Sequence, residues 1–499
     1  MITTELRLNH RKYHGQIETF RLEKYLGKKP TRPIEEIEET FGDLFSASTI
    51  ESLIRSIEGG EAGQSQTERK SRQNLLQLAR LGFIKRGTGE ISAEIEKYRN
   101  SVRVRFGEET LTFEEVPARI MSETDPAVRR EIFERSVGDL YGCADLVYER
   151  ISQTNRLAKK LGFADLADLF SEITGLDLRA LAKKCEDFLA DSAEDYFRFL
   201  SAIKPDSPLG AEGSGFSEYY YLSHKIERKK IFPGNRLAFF YEHLLENFGF
   251  SSGKIPRIIF KRMEAEKSTR VFAPRIPEEV FLLVSRRDGA ENYLDFLAGF
   301  GRAQKNVWTS PRMCRKYPEF VNGPDGVLGL AYGHFFQLLL IDRDFWQKSF
   351  FPRQNKPNPA YLRENIFRLF FHLRRAALRF LAELEFYSAG NRDVEGLEEK
   401  FSQKCTENLG FEFLKKQMAF ELTTDFSAQK KLRAFLFACG LREYLLGRHD
   451  FHWWKKRAAF EELIDFWNTG ERYGAEEMAS LIGFELSFDL VAEIFAFRG

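Results

Sequence analysis

Eight histidines are the residues of this 499-residue chain best suited to hold a metal or move a proton. His10 and His14 have i, i+4 spacing, and His449, Asp450 and His452 fall together in "GRHDFHWW". A catalytic zinc site needs more: two imidazoles one helical turn apart, a glutamate between them to activate the metal-bound water, and a distant third ligand. The His10/His14 pair has no glutamate between, and it lies near a terminus expected to be mobile. The 449–452 cluster has no helical pair and reads as a surface loop. His334, on "AYGHFFQLLL", reads as a lone structural histidine, and His224, His243 and His372 stand alone in helical segments. Nucleophilic and nucleotide chemistries are no better represented. There is no G-x-S-x-G, no P-loop and no dinucleotide fingerprint. The five cysteines (Cys143, Cys185, Cys314, Cys405, Cys439) form no CxxC pair, so neither a zinc knuckle nor a disulfide framework is suggested.

The remaining composition bounds the partners. Lys+Arg number 75 and Asp+Glu 74, a formal charge of +1, which gives no electrostatic reason to expect nucleic acid or an anionic membrane. The basic cluster "ERKKIFPGNR" at 227–236 is too short to change that. No run approaches the ~20 apolar residues of a bilayer span. The N-terminus lacks a signal-peptide core, and the scattered cysteines fit a reducing compartment, so a cytoplasmic protein is expected. The 48 phenylalanines and the "WW" and "FW" pairs at 453–454 and 466–467 are expected to fill a core rather than stack bases.

The elements that must position any site are mostly helical. Long segments such as "PIEEIEETFGDLF", "LRALAKKCEDFLADSAEDYFRFLSAI" and "ENIFRLFFHLRRAALRFLAELEFYSAG" keep an apolar stripe at 3.6-residue spacing. Strand character is confined to "SVRVRFGEETLTFEEV", which alternates like a hairpin near 101–113, and to about three short strands in "PRIIFKRMEAEKSTRVFAPRIPEEVFLLVSRR". "GGEAGQSQ" at 59–66 is a turn between helices, and "KPDSPLGAEGSGFS" at 204–217 is the clearest composition break. The chain is therefore expected to divide into an N-terminal helical half, 1–205, and a second half, 206–499. After the strands comes "YLDFLAGFGRAQKNVWTS", whose Tyr293, Phe296, Leu297, Phe300, Ala303 and Val307 predict one amphipathic helix over 291–308. Gly299 and Gly301 interrupt it, each at a cost of roughly 1 kcal/mol against alanine.

Several stretches together resemble the thimet oligopeptidase and oligoendopeptidase F family of zinc peptidases. They include "TNRLAKKLGFADLADLF", "STRVFAPRIPEEVFLLVSRRDGAENYLDFL", "GVLGLAYGHFFQLLLIDRDFW" and the block from "DFSAQKKLRAFLFACGLREYL" to "LIGFE". The resemblance implies a mainly α, zincin-like oligopeptidase fold, with two helical halves around a deep groove and a small sheet before the metal helix. It also implies a metal helix carrying H-E-x-G-H-A. Laid on that motif, "LAGFGRA" places Ala298 at the first histidine, Gly299 at the catalytic glutamate, Gly301 at the motif glycine and Arg302 at the second histidine. Leu330 aligns with the downstream glutamate ligand, and Ser427 and Lys431 with the tyrosines of the C-terminal block.

Alanine and leucine have no lone pair for a metal, glycine is no base, and arginine stays protonated. The expectation is a catalytically inactive, zinc-free relative that binds a peptide or protein or scaffolds one, with no nucleic acid or membrane partner and its oligomeric state open. Arg302 would bind a carboxylate, helped by Lys431 and Arg433, with Tyr332 and His334 as further ligand-binding candidates. The favoured alternative for Arg302 is an internal ion pair with Asp295, Glu319 or Asp325, because buried charges are generally paired. The competing function is a metallo-oligopeptidase or other hydrolase rebuilt around His334, Glu319 and Asp325. A third is a purely structural protein whose groove has collapsed.

Overall fold

The structure is a computed structural model that describes residues 2–59, 65–203, 215–223, 232–250, 258–264, 267–350, 359–389 and 393–495. Most of the 204–217 connection, most of the 59–66 turn, His224 and half of the basic cluster lie outside the described residues. The chain forms two compact units, each built from three stretches. The first comprises Met1–Phe83, Lys229–Pro357 and Arg433–Ser487; the second comprises Ile84–Arg228, Asn358–Leu432 and Phe488–Gly499. The 205/206 cut drawn from composition falls inside a stretch of the second unit. A composition break marks a change in local character, whereas a compact unit is set by contacts between distant segments.

The first unit holds a three-stranded sheet of order β3-β5-β4, where β3 is Ile258–Met263, β4 Arg270–Arg275 and β5 Glu279–Ser285. β5 pairs parallel with β3 (Ile259 opposite Phe281) and antiparallel with β4 (Val271 opposite Leu282). As the central strand β5 is buried along Val280–Ser285, which explains its unbroken apolar run, while β3 alternates. Gly289, at φ 112°, turns the chain from the sheet into the Ala290–Trp308 helix, one residue longer than its predicted start. The predicted stripe is buried throughout, in an aromatic core that includes Phe240 against Phe296 at 5.7 Å and Phe300 against Phe336 at 4.9 Å. Burying each such ring contributes roughly 2–3 kcal/mol.

The N-terminal segment is helical and packed against the sheet. Ile2–Tyr25 is a helix laid along β4: Ala273 N–H donates to the Glu18 carboxylate at 3.2 Å, and the Tyr25 hydroxyl donates to the Ser268 carbonyl. Its buried Ile17 packs with Ile37, Phe41 and Phe45, and its Leu22 with Phe272 and Leu283. The helix thereby covers the outer edge of β4, which would otherwise present unpaired backbone groups.

The second unit carries the predicted hairpin, β1 (Arg103–Phe106) with β2 (Glu109–Thr112), turning on Gly107 at φ 57°. The rest is helical, and Asp125 and Asp177 cap two of its helices by accepting backbone N–H bonds. Tyr219 stacks on Phe371 at 3.8 Å and Phe188 on Phe488 at 4.5 Å in its core. Trp453, Trp454 and Trp467, in the first unit, are buried, as expected of core residues rather than stacking platforms. Among the described residues no helix is long and apolar enough to cross a membrane.

Candidate functional site

Both glycines of the Ala290–Trp308 helix have a packing reason. A Cβ on Gly299 would lie 2.9 Å from the Leu282 methyl and 3.5 Å from methyls of Thr269 and Val271, so this position faces the sheet. A Cβ on Gly301 would lie 2.1 Å from the Tyr332 carbonyl oxygen and 2.9 Å from Gly333 N. Gly333 faces back, with a Cβ position 3.0 Å from the Ala298 carbonyl oxygen. The Ala290–Trp308 and Val327–Gln337 helices thus meet backbone to backbone, and only glycine permits that approach.

Arg302 lies one position beyond this contact and is half-buried. Its Nε donates to the Ala298 carbonyl at 3.3 Å, and no carboxylate among the described residues stands within ion-pair distance. None of the three expected partners pairs with it. Asp295 faces Arg287 at 3.7 Å, Glu319 takes Arg7 at 3.0 Å together with the Ser71 hydroxyl, and Asp325 takes Arg433 at 2.8 Å. Burial lowers the Arg302 pKa from its ordinary value, the Asp295 carboxylate opposes that shift, and Arg270 adds to it. A guanidinium starts so high that it keeps its proton.

Two other candidates do not serve as expected. Arg433 is 1% exposed and held by Glu476 at 2.6 Å as well as Asp325, so its charge is consumed inside the first unit. Tyr332 is fully buried, edge-on to Phe437 and Trp467, and its hydroxyl has no hydrogen-bond partner. It packs within the helix pair and is closed off from solvent. His334 is half-buried, with Nδ1 bonded to Gln337 Oε1 at 2.7 Å and its ring edge-on to Phe435. Leu330 is half-buried on the same helix. Ser427 and Lys431 belong to the second unit; Ser427 Oγ lies 3.3 Å from the Thr423 hydroxyl, and Lys431 is exposed.

The residues present do not fit a zinc ion at this place. Ala298, Gly299, Arg302 and Leu330 offer no donor set. Among the described residues no three His, Cys, Asp or Glu side chains are grouped to hold a metal. His334, Glu319 and Asp325 are therefore not grouped as a metal site. His449, His452 and Asp450 go to separate ion pairs with Glu462 at 2.7 Å, Asp344 at 3.3 Å and Lys456 at 2.5 Å.

One group that sequence reasoning missed is Glu383, in the second unit. It is fully buried and accepts hydrogen bonds from Thr423 N–H at 3.0 Å and the Thr423 hydroxyl at 2.6 Å, while Oε2 has no partner. Burial pushes its carboxyl up to about 8. A signal was present: Glu383 falls three residues after Phe380 and four before Tyr387, both buried, on the apolar stripe of the Pro359–Ala389 helix.

No protein-family profile matches the sequence, and no curated protein matches it. Solved structures do. An M32 carboxypeptidase from Deinococcus radiodurans R1 superposes with a TM-score of 0.59 at 13% identity, over 99% of this chain and 98% of that one. A candidate oligoendopeptidase F from Bacillus anthracis str. Ames superposes with a TM-score of 0.58 at 12% identity, over 92% of this chain and 84% of that one. At such identities the likeness speaks for the fold alone, and the chain has the mainly helical, zincin-like oligopeptidase fold of these peptidase structures.

Proposed function

We propose that this chain is a peptidase-fold protein without zinc-dependent hydrolysis, which holds a peptide or protein carboxylate at Arg302. One observation carries it: the helix that follows the sheet meets the Val327–Gln337 helix through glycine contacts, and at the positions the family resemblance assigns to ligands and base it carries Ala298, Gly299 and Arg302. The supporting electrostatics are those of Arg302, a partly buried cation that has no carboxylate within ion-pair distance among the described residues and feels Asp295 only at longer range. A guanidinium can take a carboxylate through two parallel N–H bonds, and a peptide C-terminus or an acidic side chain supplies one. A cytoplasmic setting, with no nucleic acid or membrane as partner, belongs to this proposal, and the balanced charge supports it.

Purified protein is expected to carry no stoichiometric zinc by elemental analysis and to leave a peptide library uncut. Stoichiometric zinc or cleavage abolished by a chelator would sink the proposal. Selection of that library for binding rather than cleavage is expected to enrich peptides with free or acidic C-termini. Arg302→Gln is expected to weaken those peptides by about tenfold or more, the size of a charge-assisted hydrogen bond, with the unfolding midpoint unchanged. Equal binding by the variant would place recognition elsewhere.

A further inference from the structure

A cavity of about 430 Å³ lies in the first unit, lined by the N-terminal helix, the end of β4 with the Ile276 that follows it, and the chain around Asn322. Its size falls within the ~300–1,000 Å³ of small-molecule sites. Its polar groups are unlike those of a packing defect. His14 Nε2 is 2.8 Å from the Asn322 amide nitrogen, which donates to it and leaves the His14 proton on Nδ1, where no protein partner among the described residues takes it. His10, one turn earlier, also lines the cavity, and its Nδ1 has no hydrogen-bond partner. Burial holds both imidazoles below the ordinary histidine value, His10 at about 4; at His14 the Glu18 carboxylate opposes the shift and Arg21 and Lys305 add to it, so each is a neutral donor near pH 7.

The charges at the cavity favour one sign. Arg275 is paired with Glu279 at 2.9 Å, and Glu18, the carboxylate that acts on His14, is paired with Arg21 at 2.9 Å, whereas Arg11 and Lys12 have no ion-pair partner among the described residues. The lining also includes the apolar Pro274, Ile276 and Val321. A metal fits poorly, because no third His, Cys, Asp or Glu is grouped with the two histidines. A cationic ligand would meet Arg11 and Lys12. We propose that this cavity binds a small organic carboxylate, its head on Arg11, Lys12 and the His14 Nδ1–H and its compact apolar body against Pro274, Ile276 and Val321. The site is distinct from Arg302 and rests on nothing proposed for it.

Phenylacetate titrated into the full-length protein tests this by calorimetry, with the His14 imidazole resonances followed by NMR. Saturable binding that moves those resonances is expected, and the neutral isostere phenylacetamide is expected to bind about tenfold more weakly or less, as loss of a charge-assisted bond requires. The double variant Arg11→Ser/Lys12→Ser changes two exposed side chains and should keep the wild-type melting curve while losing affinity for phenylacetate by a similar factor. Absence of phenylacetate binding at millimolar concentration overturns the proposal, as does equal binding of phenylacetamide. Inorganic phosphate binding as tightly as phenylacetate would overturn the apolar-body part and leave a bare anion site. Peptide binding at Arg302 is unaffected by any of these results.

Discussion

Gly301→Ala is expected to destabilise the first unit by about 3 kcal/mol or more, the upper range of overpacking costs. The new methyl carbon would sit 2.1 Å from the Tyr332 carbonyl oxygen and 2.9 Å from Gly333 N. Both obstacles are backbone, held inside the Val327–Gln337 helix, so neither can yield by changing a rotamer. Relief requires the two helices to separate, and that opens the aromatic contacts on either side, Phe300 against Phe336 among them. Alanine's better helix propensity returns only ~1 kcal/mol. Gly299→Ala is the internal control. Its methyl would meet the Leu282 Cδ1 at 2.9 Å, the far end of a flexible side chain, and propensity offsets most of what strain remains. Its net effect is expected within about 1 kcal/mol of zero. Urea unfolding of the two variants decides the matter. Similar midpoints for both would show that the helices do not meet at Gly301.

The same pair of glycines marks the border of what the sequence could disclose. That they interrupt an amphipathic helix is legible from 3.6-residue periodicity, because periodicity is local. Their reason is not, since it lies in Leu282 on β5 and in Tyr332 on another helix. The long amphipathic helices and all five strands were readable for the same local reason, β5 most plainly through its apolar run. Charge pairing was not. Asp325 and Glu319 were plausible partners for Arg302 by chemistry, but Arg433 and Arg7 reach them first from segments 108 and 312 residues away. The packing of the N-terminal helix was not legible either, because its contacts with the sheet lie far along the chain. What fixes it is a few buried contacts, Ile17 and Leu22, and a carboxylate on a strand edge far along the chain.

Glu383→Gln is expected to stabilise the second unit at neutral pH and to leave it unchanged in mild acid. In the folded protein burial holds the Glu383 carboxyl up to about 8, against the ordinary glutamate value of 4.5 in the unfolded chain. Below pH 4.5 both states carry the proton and the group has no net effect. Between these two values the unfolded chain binds fewer protons than the folded one, so stability falls by ~1.4 kcal/mol for each pH unit. Above about pH 8 both are ionised and the loss levels off. At pH 7 the penalty amounts to about 3 kcal/mol. Glutamine removes the titration and keeps the carbonyl that accepts Thr423 N–H and its hydroxyl. Its amide nitrogen takes the place of Oε2, which already lacks a partner, so little new is lost. Urea unfolding at pH 5, 6, 7 and 8 should therefore show a gap between variant and wild type that widens with pH, to about 2–3 kcal/mol at pH 7. The Arg379 guanidinium and the Thr423 hydrogen bonds oppose the upward shift, and Asp425 adds to it. A constant gap across that range would mean that they hold Glu383 ionised in the fold. The orphaned oxygen would then need a partner that burial alone does not supply.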